Sequence, residues 1–230
     1  MKLYMLIISV IFMVSIMIFP IGKSECMSEE NVTVKMPQPQ YESQFSLESA
    51  ILKRRSVRNY VDEPLTLSII SQLLWAAQGI THPRGFRTAP SAGALYPLEI
   101  YIIAGKVTNL AAGIYKYKPR GHELLKIIEG DKRTELYRVA LRQRPIKDAP
   151  VILVFCAVYK RTTGKYRKRG IRYILIEIGH SSQNVCLQAV SLDLGTVTLG
   201  AFNDKKVSEV IGCKENEHPL YIMPIGKHKR

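Results

Sequence analysis

Hydrophobic positions along the chain fall into segments of different period. In "EPLTLSIISQLLWAAQGI", Leu67, Ile70, Leu73, Leu74 and Ala77 recur every three or four residues, which predicts a helix with one apolar face, stopped by Gly79. A shorter helix carrying Leu47, Ala50 and Ile51 is predicted from Ser46, a capping residue, and ends by Arg55. "PLEIYIIAG" reads as a strand. "APVILVFCAVY" is apolar without alternation, as a strand covered on both faces is. "GIYKYKPRGHELLKII" reads as two strands about a Pro-Arg-Gly turn, with Tyr115 and Tyr117 facing away from Lys116 and Lys118. "RTELYRVALRQ" and "DKKVSEVIG" are predicted helices, and "TVTLGAF" and "PLYIMPIG" the last strands. The longest helix is predicted over "IRYILIEIGHSSQNVCLQAVSLDLG", ending at Gly195. It is apolar or small on nearly every side, so it should be buried all round, which is hard to arrange in a domain this small unless a second subunit covers one face. Strands and helices do not alternate regularly, which points to an α+β fold rather than a doubly wound sheet.

With 230 residues and 47% apolar content, the chain suits one domain and a short appendage. Its formal net charge of +14 favours anionic partners: phosphate-bearing cofactors, nucleic acid or an acidic membrane surface. The basic residues are spread and interleaved with Glu, with no RNP-like aromatic set, no zinc-finger spacing and no dense basic arm beyond "KYRKRGIR". A nucleic-acid partner is therefore not expected. Cys26, Cys156, Cys186 and Cys213 contain no C-x-x-C pair, and no disulfide framework is indicated. Leu3 to Ile21 carries no charge and reaches membrane-spanning length. Residues 1–22 therefore read as a signal peptide or a membrane anchor, with membrane contact through residues 3–21 and the protein anchored or exported. Residues 23–45, which include "KMPQPQYESQ", read as a linker, and residues 46–230 as the domain.

Several chemistries are missing. There is no G-x-G-x-x-G opening a helix, no phosphate-binding G-x-x-x-x-G-K-[ST] and no G-x-S-x-G elbow. Glu177 and His180 make a single E-x-x-H, which reads as helix packing, and no metal is expected. "KRRSVRNY" is different. If the helix ends near Arg55, Ser56 and Arg58 continue in extended form and point to one side. Guanidinium forks and a hydroxyl can then converge on one phosphate. The alternative is that cations complement a helix C-terminus, which accounts for one arginine more easily than for three.

"KRRSVRNY", "ISQLLWAAQGIT" and "RTAPSAGALYPLEIYI", followed in order by the tyrosine hairpin, the long-helix block and "PLYIMPIGK", resemble the FMN-dependent nitroreductase family over residues 46–228. Within it they are most similar to the SagB-type dehydrogenase branch, whose members include azoline oxidases of peptide biosynthesis. The resemblance implies an α+β sandwich, with a central, mostly antiparallel sheet flanked by helices. It also implies an obligate homodimer with the long helix at the interface, and FMN in two sites there. Carried over by position, Arg54, Arg55, Ser56 and Arg58 would hold the FMN phosphate and ribityl chain, with Lys227 and Arg230 completing the phosphate pocket. Pro90, Ser91, Ala92 and Leu95 would reach the flavin from the other subunit, and Leu199, Gly200 and Ala201 would lie beside its ring. Lys165 and Tyr166 match an adjacent Lys-Tyr pair that assists proton removal in the azoline-oxidising branch. A simple turn at Pro90, a solvated basic tail and an exposed basic loop are the plainer alternatives for these segments.

The implied function is hydride or electron transfer through FMN. The donor would be NAD(P)H or an azoline-type small-molecule or peptide substrate, and the acceptor a nitro compound, a quinone or oxygen. A non-catalytic, membrane-associated flavin-binding module is the second reading. The chain stops at "GKHKR", so exchange of a C-terminal strand between subunits is left open.

Overall fold

The computed structural model describes residues 32–228. In chain order the elements are β1 (Thr33–Lys35), α1 (Leu47–Lys53), β2 (Leu65–Thr66), α2 (Leu67–Gln78), β3 (Leu98–Ala104), β4 (Val107–Thr108), β5 (Gly113–Lys118) and β6 (Glu123–Glu129). They continue with α3 (Arg133–Val139), α4 (Arg144–Asp148), β7 (Val151–Ala157), α5 (Tyr159–Tyr166), α6 (Arg169–Ser191), β8 (Gly195–Thr196), α7 (Asp204–Ile211) and β9 (His218–Gly226). The main sheet has seven strands in the order β1-β6-β5-β3-β7-β9-β8, and every neighbouring pair is antiparallel. β2 and β4 form a separate parallel pair.

Alternation along the strands builds two cores, one on each face of the sheet. Leu98, Ile100 and Ile102 of β3 and Leu153 and Phe155 of β7 pack with Leu73 and Leu74 of α2 and Ile174, Ile178 and Val185 of α6. The intervening residues, Tyr101, Ile103, Ile152 and Val154, pack with Leu136 of α3, Ile146 of α4 and Val207 and Ile211 of α7. This is the expected α+β sandwich. Of the predicted α2 stripe, Ile70, Leu73, Leu74 and Ala77 are buried and Leu67 is half-buried; Thr66 caps the start of the helix and the Gly79 N–H closes its end on Trp75 O.

The sheet begins earlier than expected. Residues 33–35, read as linker, form β1 and pair with β6. Met36 is buried, and the Gln40 N–H donates to Gln72 Oε1 at 2.8 Å. The Ser71 hydroxyl meets Pro37 O and, at 2.6 Å, His122 Nε2, so side chains distant in sequence fasten this polar stretch. The expected membrane-anchored or exported placement is corrected: among the described residues no helix is long and apolar enough to cross a membrane. Residues 3–21, on which that expectation rested, lie outside the described residues.

α6 departs from the prediction in a useful way. One chain covers only one of its faces: Ile174, Ile178, Val185 and Ala189 are buried, whereas Ile171, Leu175 and Ile176 are 41%, 51% and 47% exposed. α6 ends at Ser191 rather than running to Gly195, because Asp193 turns into the left-handed region and Gly195 already pairs with Gly226. "TVTLGAF" forms little strand; beyond β8 it contributes only the Leu199–Ile222 bridge. Lys116, read as facing opposite to Tyr115 and Tyr117, is buried as they are. Its ammonium lies 2.5 Å from Glu217 and 3.0 Å from Glu99, and Glu217 also accepts from Tyr101 OH at 2.6 Å. Two carboxylates and a hydroxyl make that burial tolerable.

Candidate functional site

The "KRRSVRNY" segment leaves α1 at Arg54, whose backbone is already extended. Ser56 then forms a parallel bridge with Thr196, and the Val57 N–H donates to Thr196 O at 2.9 Å. Val57 points inward against Gly195, where any Cβ would sit 2.5 Å from Val57 Cγ1, so glycine is required there. Ser56 and Arg58 face outward and are exposed. The period-two expectation holds at this edge.

The three arginines divide between the two sequence readings. Arg55 donates from Nη1 to Leu52 O and Arg54 O at 2.9 and 2.8 Å, closing the C-terminus of α1 as the helix-end reading supposes. Arg54 and Arg58 have no carboxylate partner and no side-chain hydrogen bond among the described residues. Lys227 is brought to the same edge, because the Val61 N–H donates to Lys227 O, but its ammonium is engaged by Glu63 at 2.6 Å. Arg230 lies outside the described residues. Leu199 is buried by its exchange of hydrogen bonds with Ile222. Gly200 and Ala201 follow on the surface, where Ala201 O accepts from Gln143 Nε2 at 2.9 Å.

A second group forms around the loop before β3. Ser91 Oγ accepts from the Tyr96 N–H at 2.9 Å and folds the loop into a 3-10 turn over Ala92–Ala94. Pro90, Ser91 and Ala92 line a hollow of about 270 Å³ with Tyr173, Ile176 and Glu177. A side chain on Gly93 would meet Tyr166 OH at 2.8 Å and Lys165 Nζ at 3.2 Å, so the Lys-Tyr pair lies directly on this loop. Both residues end α5, a helix that periodicity does not reveal because "YKRTTGKY" has almost no apolar residues. Tyr166 packs edge-on against Tyr173 with ring centroids 5.1 Å apart. Leu95 turns away into a different hollow, beside Tyr96 and Arg87.

Within one chain the two groups do not meet. Arg54 acts on Cys186 of α6, while Ser91 reaches Glu177, nine residues earlier and so about 13 Å along the helix.

Sequence reasoning took Glu177 for packing. It is only 2% exposed, and its Oε1 has no hydrogen-bond partner among the described residues. Burial pushes its carboxyl up to about 7, against the opposing pull of the Ser91 hydroxyl and Arg87. The available signal was an acidic residue interrupting the apolar run "ILIEIG". Such a group holds a proton near neutrality within one hydrogen bond of the Ser91 loop.

Comparison with known proteins places this arrangement. The nitroreductase family profile matches residues 51–227. A protein named as a nitroreductase in Methanocaldococcus jannaschii is 46% identical over 195 residues, covering 85% of this chain and 97% of the relative. The crystal structure of a nitroreductase from Anabaena variabilis superposes with a TM-score of 0.77 at 30% identity, covering 86% of this chain but 42% of that one. The microcin B17-processing protein McbC of Escherichia coli is 29% identical over 73% of this chain and 65% of its own length. The chain belongs to the nitroreductase family, and its class is that of FMN-dependent oxidoreductases.

Proposed function

We propose that two copies of this chain bind FMN between them and pass hydride between a diffusible donor and an acceptor. The observation that carries the reading is the pair of guanidiniums without an ion pair or side-chain hydrogen bond among the described residues, Arg54 and Arg58, flanking the exposed Ser56 hydroxyl on one edge. Such a set suits the phosphate of FMN, and the exposed backbone at Gly200 and Ala201 can be approached by a planar ring. When bound, FMN supplies the hydride chemistry. The residues here do the rest. Arg54, Ser56 and Arg58 hold phosphate, the Pro90–Ala92 loop of the second copy closes over the site, and Lys165 or Tyr166 handles a proton at the substrate. Likeness to McbC and the Lys165–Tyr166 pair favour a SagB-type dehydrogenase acting on an azoline-type small molecule or peptide. NAD(P)H remains the other candidate donor.

The test is direct. Purified protein reconstituted with FMN should be yellow, bleach with NAD(P)H or an azoline-type substrate, and recolour in air. Failure of folded protein to retain FMN would refute the reading, and colour without turnover on any acceptor would leave a flavin-binding module instead.

α6 supports a second copy. Ile171, Leu175 and Ile176 expose an apolar stripe that reaches the Pro90–Ala92 loop at Ile176, and burying the exposed half of each side chain contributes about 0.7–1.5 kcal/mol. Leu175→Asp with Ile176→Asp should therefore convert a dimer to a folded monomer in sedimentation velocity. Unchanged sedimentation would place any interface elsewhere.

A further inference from the structure

A second hollow, of about 390 Å³, lies between the end of α2, the Tyr96 loop, the turn of the β5–β6 hairpin and α5. Four cations line it, Arg87, Lys118, Arg120 and Arg161, against one carboxylate, Glu99. That carboxylate is already engaged: its Oε2 lies 3.0 Å from Lys116 Nζ, and its Oε1 accepts from Arg161. Lys118 and Arg120, on either side of Pro119, make no ion pair or side-chain hydrogen bond among the described residues.

The floor is more telling than the rim. The Arg87 guanidinium is half-buried, and burial pushes its pKa down. Its contacts are a neutral amide, Gln78 Oε1 at 2.8 Å, and the Tyr96 ring, with Cζ 4.5 Å from the centroid. Gln78 is 1% exposed, and its Nε2 has no hydrogen-bond partner among the described residues. Turning the amide round would set NH2 against the guanidinium, so Arg87 fixes which end is left over. A buried amide donor is costly to leave unanswered, and the half-buried guanidinium makes no direct ion pair among the described residues, only the longer-range attraction of Glu99 and Glu177 offsetting its burial. Everything unanswered here is a donor, and what answers donors is an acceptor carrying negative charge. Leu98 and Ile100 also line the hollow, giving it an apolar wall as well as a cationic one.

We infer that this hollow is a binding site for an organic anion, whose phosphate or carboxylate oxygens reach Arg87 and Gln78 while Lys118 and Arg120 close over its outer charge. It is separate from the Arg54–Arg58 edge proposed for FMN, and it does not depend on that reading. Paired contacts from a guanidinium and an amide match a planar or tetrahedral oxyanion, whereas chloride offers one point only.

Isothermal titration of the full chain with pyrophosphate and with citrate, at ionic strength held constant with sodium chloride, tests it. At least one of the two should bind saturably, and the stronger identifies phosphate or carboxylate as the preferred group. Arg87→Gln should weaken that binding about tenfold or more. Arg120→Gln, on an exposed turn where the fold is insensitive, should weaken it severalfold. Arg54→Ala with Arg58→Ala, which removes the other edge able to take pyrophosphate, should leave the Arg87-dependent part of the binding unchanged. No binding beyond the chloride control, binding that survives both Arg87→Gln and Arg120→Gln, or Arg87-dependent binding lost in the Arg54/Arg58 variant would overturn the assignment.

Discussion

Replacing Arg54 and Arg58 together by alanine is expected to weaken FMN retention by about a hundredfold or more, with the fold intact. Hydrogen bonds to a charged group contribute about 1.5–3 kcal/mol each. Losing two from one phosphate therefore removes at least about 3 kcal/mol, or two decades of affinity. The stability of the apoprotein should hardly change, because neither guanidinium makes a hydrogen bond or an ion pair among the described residues. Arg55→Ala is the internal control. Its guanidinium closes α1 on Leu52 O and Arg54 O, so its loss should lower stability by about 1 kcal/mol and alter FMN affinity far less. Equilibrium dialysis against FMN, with urea unfolding of the same three proteins, separates the two roles. If Arg55→Ala loses FMN and the double variant keeps it, the phosphate is held by different residues.

Glu177→Gln is expected to stabilise the protein at pH 8 by roughly 2–3 kcal/mol and to flatten its pH dependence. The carboxyl titrates at about 7 when folded and at 4.5 in its ordinary state, and burial is the cause. Between those values the folded protein keeps a proton that the unfolded chain has released. Stability therefore falls as pH rises from 4.5 to about 7 and levels off above that. Glutamine keeps the shape and the contact with Ser91 and never ionises. Urea midpoints at pH 5.5 and pH 8 should differ clearly more in the parent than in the variant; equal differences would show that Glu177 is ionised and satisfied. A raised acid beside Ser91 also makes the pH profile of turnover informative. A limb near pH 7 that disappears in Glu177→Gln would assign the proton to this carboxyl.

Local periodicity was enough for much of the scaffold. The α2 stripe, the β3 and β7 strands and the outward pair Ser56 and Arg58 around inward Val57 all follow from two short-range rules. The family resemblance added the sandwich. What stayed hidden depends on partners far away in the chain. Lys116 looks like a solvent-facing lysine until Glu217, 101 residues on, folds over it. Residues 33–40 look like a polar linker until β6, Ser71 and His122 supply their partners. Gln78 and Glu177 sit on buried helix faces where an apolar residue is the default, and only the three-dimensional surroundings show that each leaves one polar atom unanswered.

The short margins of the sheet carry a further consequence. β1 spans three residues and β8 two, so neither outermost strand of the seven-stranded sheet itself offers a long run of free amides and carbonyls. A stray strand from another molecule has little to zip onto, which protects the fold from fibrillar stacking. Copies that meet are steered toward contact between side chains, which can be tuned residue by residue, and away from backbone adhesion, which cannot.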